Sequence, residues 1–152
     1  MQKNALLLTE TLVLLIVIAI LHNLAVYFEL YWSIDSLDSV MHFLGGVWAS
    51  IFTLWLFFFS GFFSPEKRSF LKILSIGILG TIFISTSWEI FELVTGTAVV
   101  EWSDYPFDTS LDFVMDFLGG ITACLYAYMK LDSHVAYKVP EKRGLVPENL
   151  PI

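Results

Sequence analysis

The chain has 152 residues, 57% hydrophobic and 16% aromatic, with a mean hydropathy of +0.73 and a formal net charge of −7. An ordinary soluble domain of this length does not reach such hydropathy, and no basic patch is large enough to track phosphates, which excludes nucleic-acid partners. The single cysteine, Cys124, excludes a disulfide within the monomer and any zinc motif of cysteine type.

Four apolar stretches follow in order, at 5–31, 38–63, 69–95 and 111–130. Each is long enough to cross a bilayer core, which needs about 20 helical residues. Lys3 precedes the first, as in a signal peptide. The run is too long for one, however, and no small-residue cleavage site precedes Tyr27–Trp32, so a retained helix is predicted. The second stretch holds the aromatic run Phe57-Phe58-Phe59, read as lipid-facing bulk. Ser64-Pro65-Glu66 reads as an N-cap with proline at the first helical position, so the third helix is expected to begin there. The loop 95–110 carries Trp102, Tyr105 and Pro106, residues suited to the water–lipid interface. Residues 1–131 thus form a transmembrane domain, and 132–152, with three prolines, a loose cytoplasmic tail. All eight Lys and Arg lie at 3, 67–72 and 130–143, which the positive-inside rule places on the cytoplasmic side. The expectation is a multi-pass cell-membrane protein with both termini inside.

Two segments nearly repeat. Leu37–Gly46 (LDSVMHFLGG) and Leu111–Gly120 (LDFVMDFLGG) agree at eight of ten positions with an offset of 74, and Ala49 matches Ala123. Phe28-Glu29-Leu30 and Phe91-Glu92-Leu93 extend the likeness one helix back. The predicted fold is all-α: a four-helix transmembrane bundle built from two parallel-repeat helical hairpins.

Helical spacing puts Asp38, His42, Gly45 and Ala49 on one face of the second helix, and Asp112, Asp116, Gly119 and Ala123 on one face of the fourth. Thr81, Ser85, Glu89 and Glu92 form a polar stripe on the third, while His22 and Glu29 lie two turns apart on the first. In a four-pass chain, Glu29, Asp38, His42, Glu89, Glu92, Asp112 and Asp116 all reach the outer half of the bundle. No Lys or Arg lies between 4 and 66 or between 73 and 129. Carboxylates gathered in a low-dielectric region need protons, a bound cation or a cationic substrate. Carboxylates with one imidazole suit a divalent ion: Zn²⁺, Mg²⁺, Mn²⁺ or Fe²⁺. The expected ligands are Asp38, His42, Glu92, Asp112, Asp116 and Glu29, with Glu89 as general base or ligand. Plainer roles compete. Asp38 and Asp112 could be helix caps, with Thr109–Asp112 as a capping box; Glu89 and Glu92 could face outer water; His22 reads as a packing histidine.

The motifs Asp38-x-x-x-His42-Phe43, Trp88-Glu89-x-x-Glu92 and Asp108-Thr109-x-x-Asp112-x-x-x-Asp116-x-x-Gly119 together resemble the VanZ-like family and related uncharacterised small multi-pass membrane families. The resemblance covers about 38–123. It implies a helical membrane fold linked to the cell envelope and supplies no reaction. Ser39 stands where those proteins commonly carry a basic residue, Asp116 where they carry Asn, and an Arg ahead of the last motif is missing.

Three functions follow from the residues. One is a metal-dependent intramembrane hydrolase or transferase acting on a lipid or envelope substrate. Another is a cation- or proton-coupled transporter, which would need a homodimer to form a path. The third is a non-catalytic membrane scaffold.

Overall fold

An apolar segment in lipid has no water for its backbone polar groups, so it must satisfy them internally as a helix. The computed structural model describes residues 2–34, 36–63, 69–96 and 105–132, and they form α1 (Gln2–Tyr27), α2 (Leu30–Ser33), α3 (Leu37–Phe59), α4 (Phe70–Thr95) and α5 (Tyr105–Asp132). All secondary structure among the described residues is helical. Four helices are long and apolar enough to cross a membrane, over Leu7–Tyr27, Leu37–Phe59, Phe70–Thr95 and Tyr105–Lys130.

Several boundaries differ from those read off the sequence. The first stretch is not one helix to residue 31. Glu29 takes a left-handed conformation (φ 53°, ψ 33°), unusual for a residue with a side chain, and the chain restarts as the single turn α2. α3 stops at Phe59, before 63: the Ser60 hydroxyl turns back onto the Leu56 carbonyl, and Gly61 follows at φ 89°. α4 is capped by Ser69, whose side chain accepts from the Lys72 amide at 3.4 Å. Ser64-Pro65-Glu66 lies outside the described residues, as do Trp102 and the tail from 133 onward. Gly96, at φ 68°, closes α4 by returning its amide to the Glu92 carbonyl.

α5 begins at Tyr105, well ahead of 111, because Pro106 fits a first turn whose N–H groups need no helical partner. Asp112 therefore sits inside a helix, and the expected capping box does not form.

The axis of the fold is the pair α3 and α5. A Cβ on Gly46 would overlap the Asp116 backbone carbonyl, and one on Gly119 the carbonyl of Phe43, so the two backbones touch where only glycine permits it. The helices run parallel and in register. His42 bonds Asp116, and two turns lower Ser50 Oγ meets Cys124 Sγ at 3.2 Å, each pair separated by 74 residues. Ala49 and Ala123 are buried between these levels. α4 lies across both helices, and α1 leans chiefly on α3. Below the glycines, Leu54, Phe58, Ile73, Cys124 and Ala127 form an apolar core, with Phe57 and Phe59 packed on it. The aromatic run is therefore core, not lipid-facing bulk. The lower end of α1 is tied to α5 by Glu10 with Lys130, and by Leu7 packed with Ile51 and Ala123.

Candidate metal centre

The site forms where the upper turns of α3, α4 and α5 converge. On α3, Asp38 occupies the first turn and His42 the second; Ser36 makes no side-chain cap, and Asp38 Oδ1 lies 4.0 Å from the imidazole Nε2 one turn below it. On α5, Asp112 and Asp116 are one turn apart on the face turned to α3, buried to 2% and 4% exposure. On α4, the expected polar stripe faces inward, with Thr81, Ser85 and Glu89 buried and Glu92 half-buried. Glu89 is only 6% exposed, so the alternative that placed it in outer water falls.

His42 is the centre of this set. Its Nδ1 lies 3.1 Å from Asp116 Oδ2, and toward an ionised Asp116, whose oxygen accepts, Nδ1–H is the donor. The other nitrogen, Nε2, lies 3.7 Å from Asp112 Oδ1 and 4.0 Å from Asp38 Oδ1. Those spacings exceed a hydrogen bond. They lie slightly above the distance of about 3.4 Å between two ligands of one tetrahedral ion with bonds of about 2.1 Å. One donor atom each from Asp38, His42 and Asp112 lie within 4.8 Å of one another, and the same holds for His42, Glu89 and Glu92.

Glu89 is held at this level by α5. Thr109 Oγ1 donates to its Oε2 at 2.9 Å, and the Tyr105 hydroxyl donates to its backbone carbonyl at 3.2 Å. Its other carboxylate oxygen, Oε1, is buried with no hydrogen-bond partner among the described residues. A buried charged oxygen left alone costs several kcal/mol in a low-dielectric setting, on the order of the penalty for an isolated ion after relaxation. Positive charge is scarce: the spans carry no Lys or Arg at this depth, since Lys72 and Lys130 sit at the opposite helix ends.

Of the residues expected from sequence, the structure gathers Asp38, His42, Glu89, Glu92, Asp112 and Asp116. It leaves Glu29 outside both ligand groups, exposed on the rim of a neighbouring cavity. Asp108 is half-buried in the first turn of α5. His22 behaves as a packing histidine, with its Nδ1 2.9 Å from the Tyr31 hydroxyl and its ring edge-on to Trp88. Tyr31 was not visible as a participant, because the single turn α2 that carries it has no periodicity of its own. Burial, then the charges of Asp38 and Glu92, push its phenol up to about 12, so it stays a neutral donor. Thr109 was legible only as a capping residue; its bond to Glu89 needs the earlier start of α5.

A family model described as "Predicted membrane protein (DUF2238)" matches residues 2–133, which include all four candidate spans and the whole acid–histidine cluster. No curated protein and no solved structure matches the chain. The match covers far more than half of the sequence, and the chain belongs to this family of predicted membrane proteins.

Proposed function

We propose that the protein binds one divalent cation between Asp38, His42 Nε2 and Asp112, and uses it to act on a lipid or cell-envelope substrate. The observation that carries this reading is the orientation of His42. With its proton on Nδ1 and committed to Asp116, its Nε2 lone pair is turned toward two carboxylate oxygens, all three of them acceptors. A cation between them relieves that arrangement and satisfies all three acceptors at once. A second proton on the ring would supply one positive charge against Asp38, Asp112, Asp116, Glu89 and Glu92, which leaves most of the acids unmatched. Asp116 is then the carboxylate that orients the metal-bound imidazole, the usual outer partner of a ligating histidine. Glu89, with a free Oε1 at the same level, would accept a proton from a metal-bound water, whose acidity the ion raises. Glu92 completes the coordination or neutralises it. Zn²⁺, Mg²⁺, Mn²⁺ and Fe²⁺ all fit a donor set of carboxylates and one imidazole.

The 74-residue pairings of His42 with Asp116 and Ser50 with Cys124 support descent of α1–α3 and α4–α5 from one duplicated hairpin. A two-fold axis between parallel helices brings each residue onto its own counterpart. The distribution of Lys and Arg supports cytoplasmic termini, with the metal site toward the outer face. The likeness of residues 38–123 to VanZ-like proteins fits an envelope setting. A homodimer belongs to the transport reading alone, which no contact in the bundle favours.

The test is metal content by inductively coupled plasma spectrometry on purified protein. About one equivalent is expected in the wild type and none in His42→Ala. Metal-free wild type after expression and purification with Zn²⁺, Mg²⁺, Mn²⁺ or Fe²⁺ supplied would refute the reading.

A further inference from the structure

Beside the cluster lies a cavity of about 690 Å³ between α1, α3 and α4, and its wall changes character with depth. Its upper part is formed by Glu29, Tyr31, Asp38, His42, Glu92 and Asp116, which include four acids and no Lys or Arg. Its lower part is formed by Leu15, Ile18, Trp48 and Ile84. Trp48 lies six residues below His42, and Ile84 eight below Glu92, which at 1.5 Å per residue is about 9–12 Å. The cavity therefore descends from the charged cluster well into hydrocarbon depth.

It also faces sideways. α1 leans on α3 and meets α4 through the ring contact of His22 with Trp88, and the lining residues Leu15, Val26, Trp88 and Phe91 are all exposed. These residues lie within spans long and apolar enough to cross the membrane, where the medium outside is acyl chain.

From this we infer that the cavity takes a membrane phospholipid from the leaflet on the acid side, through the gap between α1 and α4, with one acyl chain in the lower part and an ammonium-bearing head between Glu29 and Glu92. The occupant follows from complementarity. An apolar slot opening onto lipid suits a chain, and a wall of carboxylates rejects an anionic head while favouring a zwitterionic head with a free amine. Phosphatidylethanolamine has that chemistry, and phosphatidylglycerol lacks the positive group. This assignment rests on the reading of the acid–histidine cluster as the reactive centre, because the cavity ends there and presents the head to it.

The experiment uses Trp48 as a reporter inside the slot. In full-length protein with Trp32, Trp55, Trp88 and Trp102 changed to Phe, reconstituted into phosphatidylcholine vesicles, brominated-chain lipids at low mole fraction quench Trp48 fluorescence. Brominated phosphatidylethanolamine should half-quench at a mole fraction about threefold or more below that of brominated phosphatidylglycerol, the scale of two modest charge contacts. Ser85→Phe and Ala25→Leu, which fill the slot from α4 and α1, should each reduce quenching by both lipids. Glu29→Gln with Glu92→Gln should erase the preference between heads. Equal quenching by the two lipids, or quenching indifferent to both filling variants, overturns the inference. His42→Ala separates the two proposals. It should lose the metal and keep the chain-dependent quenching, so a failure of metal binding alone leaves the slot standing.

Discussion

The pair α3 and α5 meets its own repeat at two levels, and the levels differ in chemistry while sharing one geometry. At the lower level Ser50 and Cys124 are neutral, satisfy each other, and sit above an apolar core of Leu54, Ile73 and Ala127. At the upper level His42 and Asp116 occupy corresponding positions, yet they are surrounded by Asp38, Asp112, Glu89 and Glu92, and Glu89 Oε1 is left without a partner. The contact of glycine on backbone that fixes the register lies between the two levels and serves both. What separates the two levels is the count of charges around each contact. A hydroxyl and a thiol are satisfied by weak hydrogen bonds, to each other and from Cys124 Sγ to the Ile73 carbonyl, whereas one imidazole does not balance five acids in a medium of low dielectric.

That contrast can be broken most severely at His42. His42→Ala should abolish stoichiometric metal, while Ser50→Ala, the corresponding change at the lower level, should leave metal content at its wild-type value. Next comes the orienting carboxylate. Asp116→Asn keeps the shape and an oxygen that can accept from Nδ1, but loses the charge that makes the imidazole a better ligand. Metal affinity should fall about 10–100-fold in a competition titration with a chelator. An unchanged affinity would make Asp116 a packing residue like Cys124.

Gly46→Ala tests what the two levels share. The added methyl meets the Asp116 carbonyl, and overpacking of this kind costs about 1–3 kcal/mol, read as a lower melting temperature in detergent. Because the same shift moves His42 from Asp116, metal affinity should fall alongside stability. Ser50→Ala should cost about 1 kcal/mol or less, the loss of one weak hydrogen bond. The smallest effect is spectroscopic. With its phenol pushed up to about 12 by burial and by Asp38 and Glu92, Tyr31 should ionise after the ordinary tyrosines, which titrate near 10. Tyr31→Phe should reduce the phenolate absorbance gained around pH 12 in an alkaline titration.

Much of this was readable along the chain. The polar residues at i and i+4 ahead of each Gly pair located Asp38, His42, Asp112 and Asp116 on facing helix stripes, because helical period alone fixes which side chains share a face. That Thr81, Ser85 and Glu89 share one face followed from the same period, and their burial came only with the packed bundle. Phe58 was misread, since an all-aromatic run has no polar face to mark which member points inward. Glu29 was grouped with the cluster by depth, as a residue near the outer end of the first span, and local backbone geometry set it apart: its left-handed turn follows α1 and leaves the side chain on the cavity rim.

The sequence by itself determined that four apolar stretches are long enough to cross a membrane, that acids and one histidine recur at fixed helical spacing within them, and that two decapeptide segments are near copies. Length, hydropathy and period are local properties, legible without a partner. Only the tertiary structure decided which His42 nitrogen faces which acid, that Thr109 holds Glu89, and that α1, α3 and α4 enclose a cavity beside the cluster. Those facts depend on how closely backbones approach and on the rotation of each helix about its axis. Both are set by contacts between segments 20 to 74 residues apart, which no local pattern encodes.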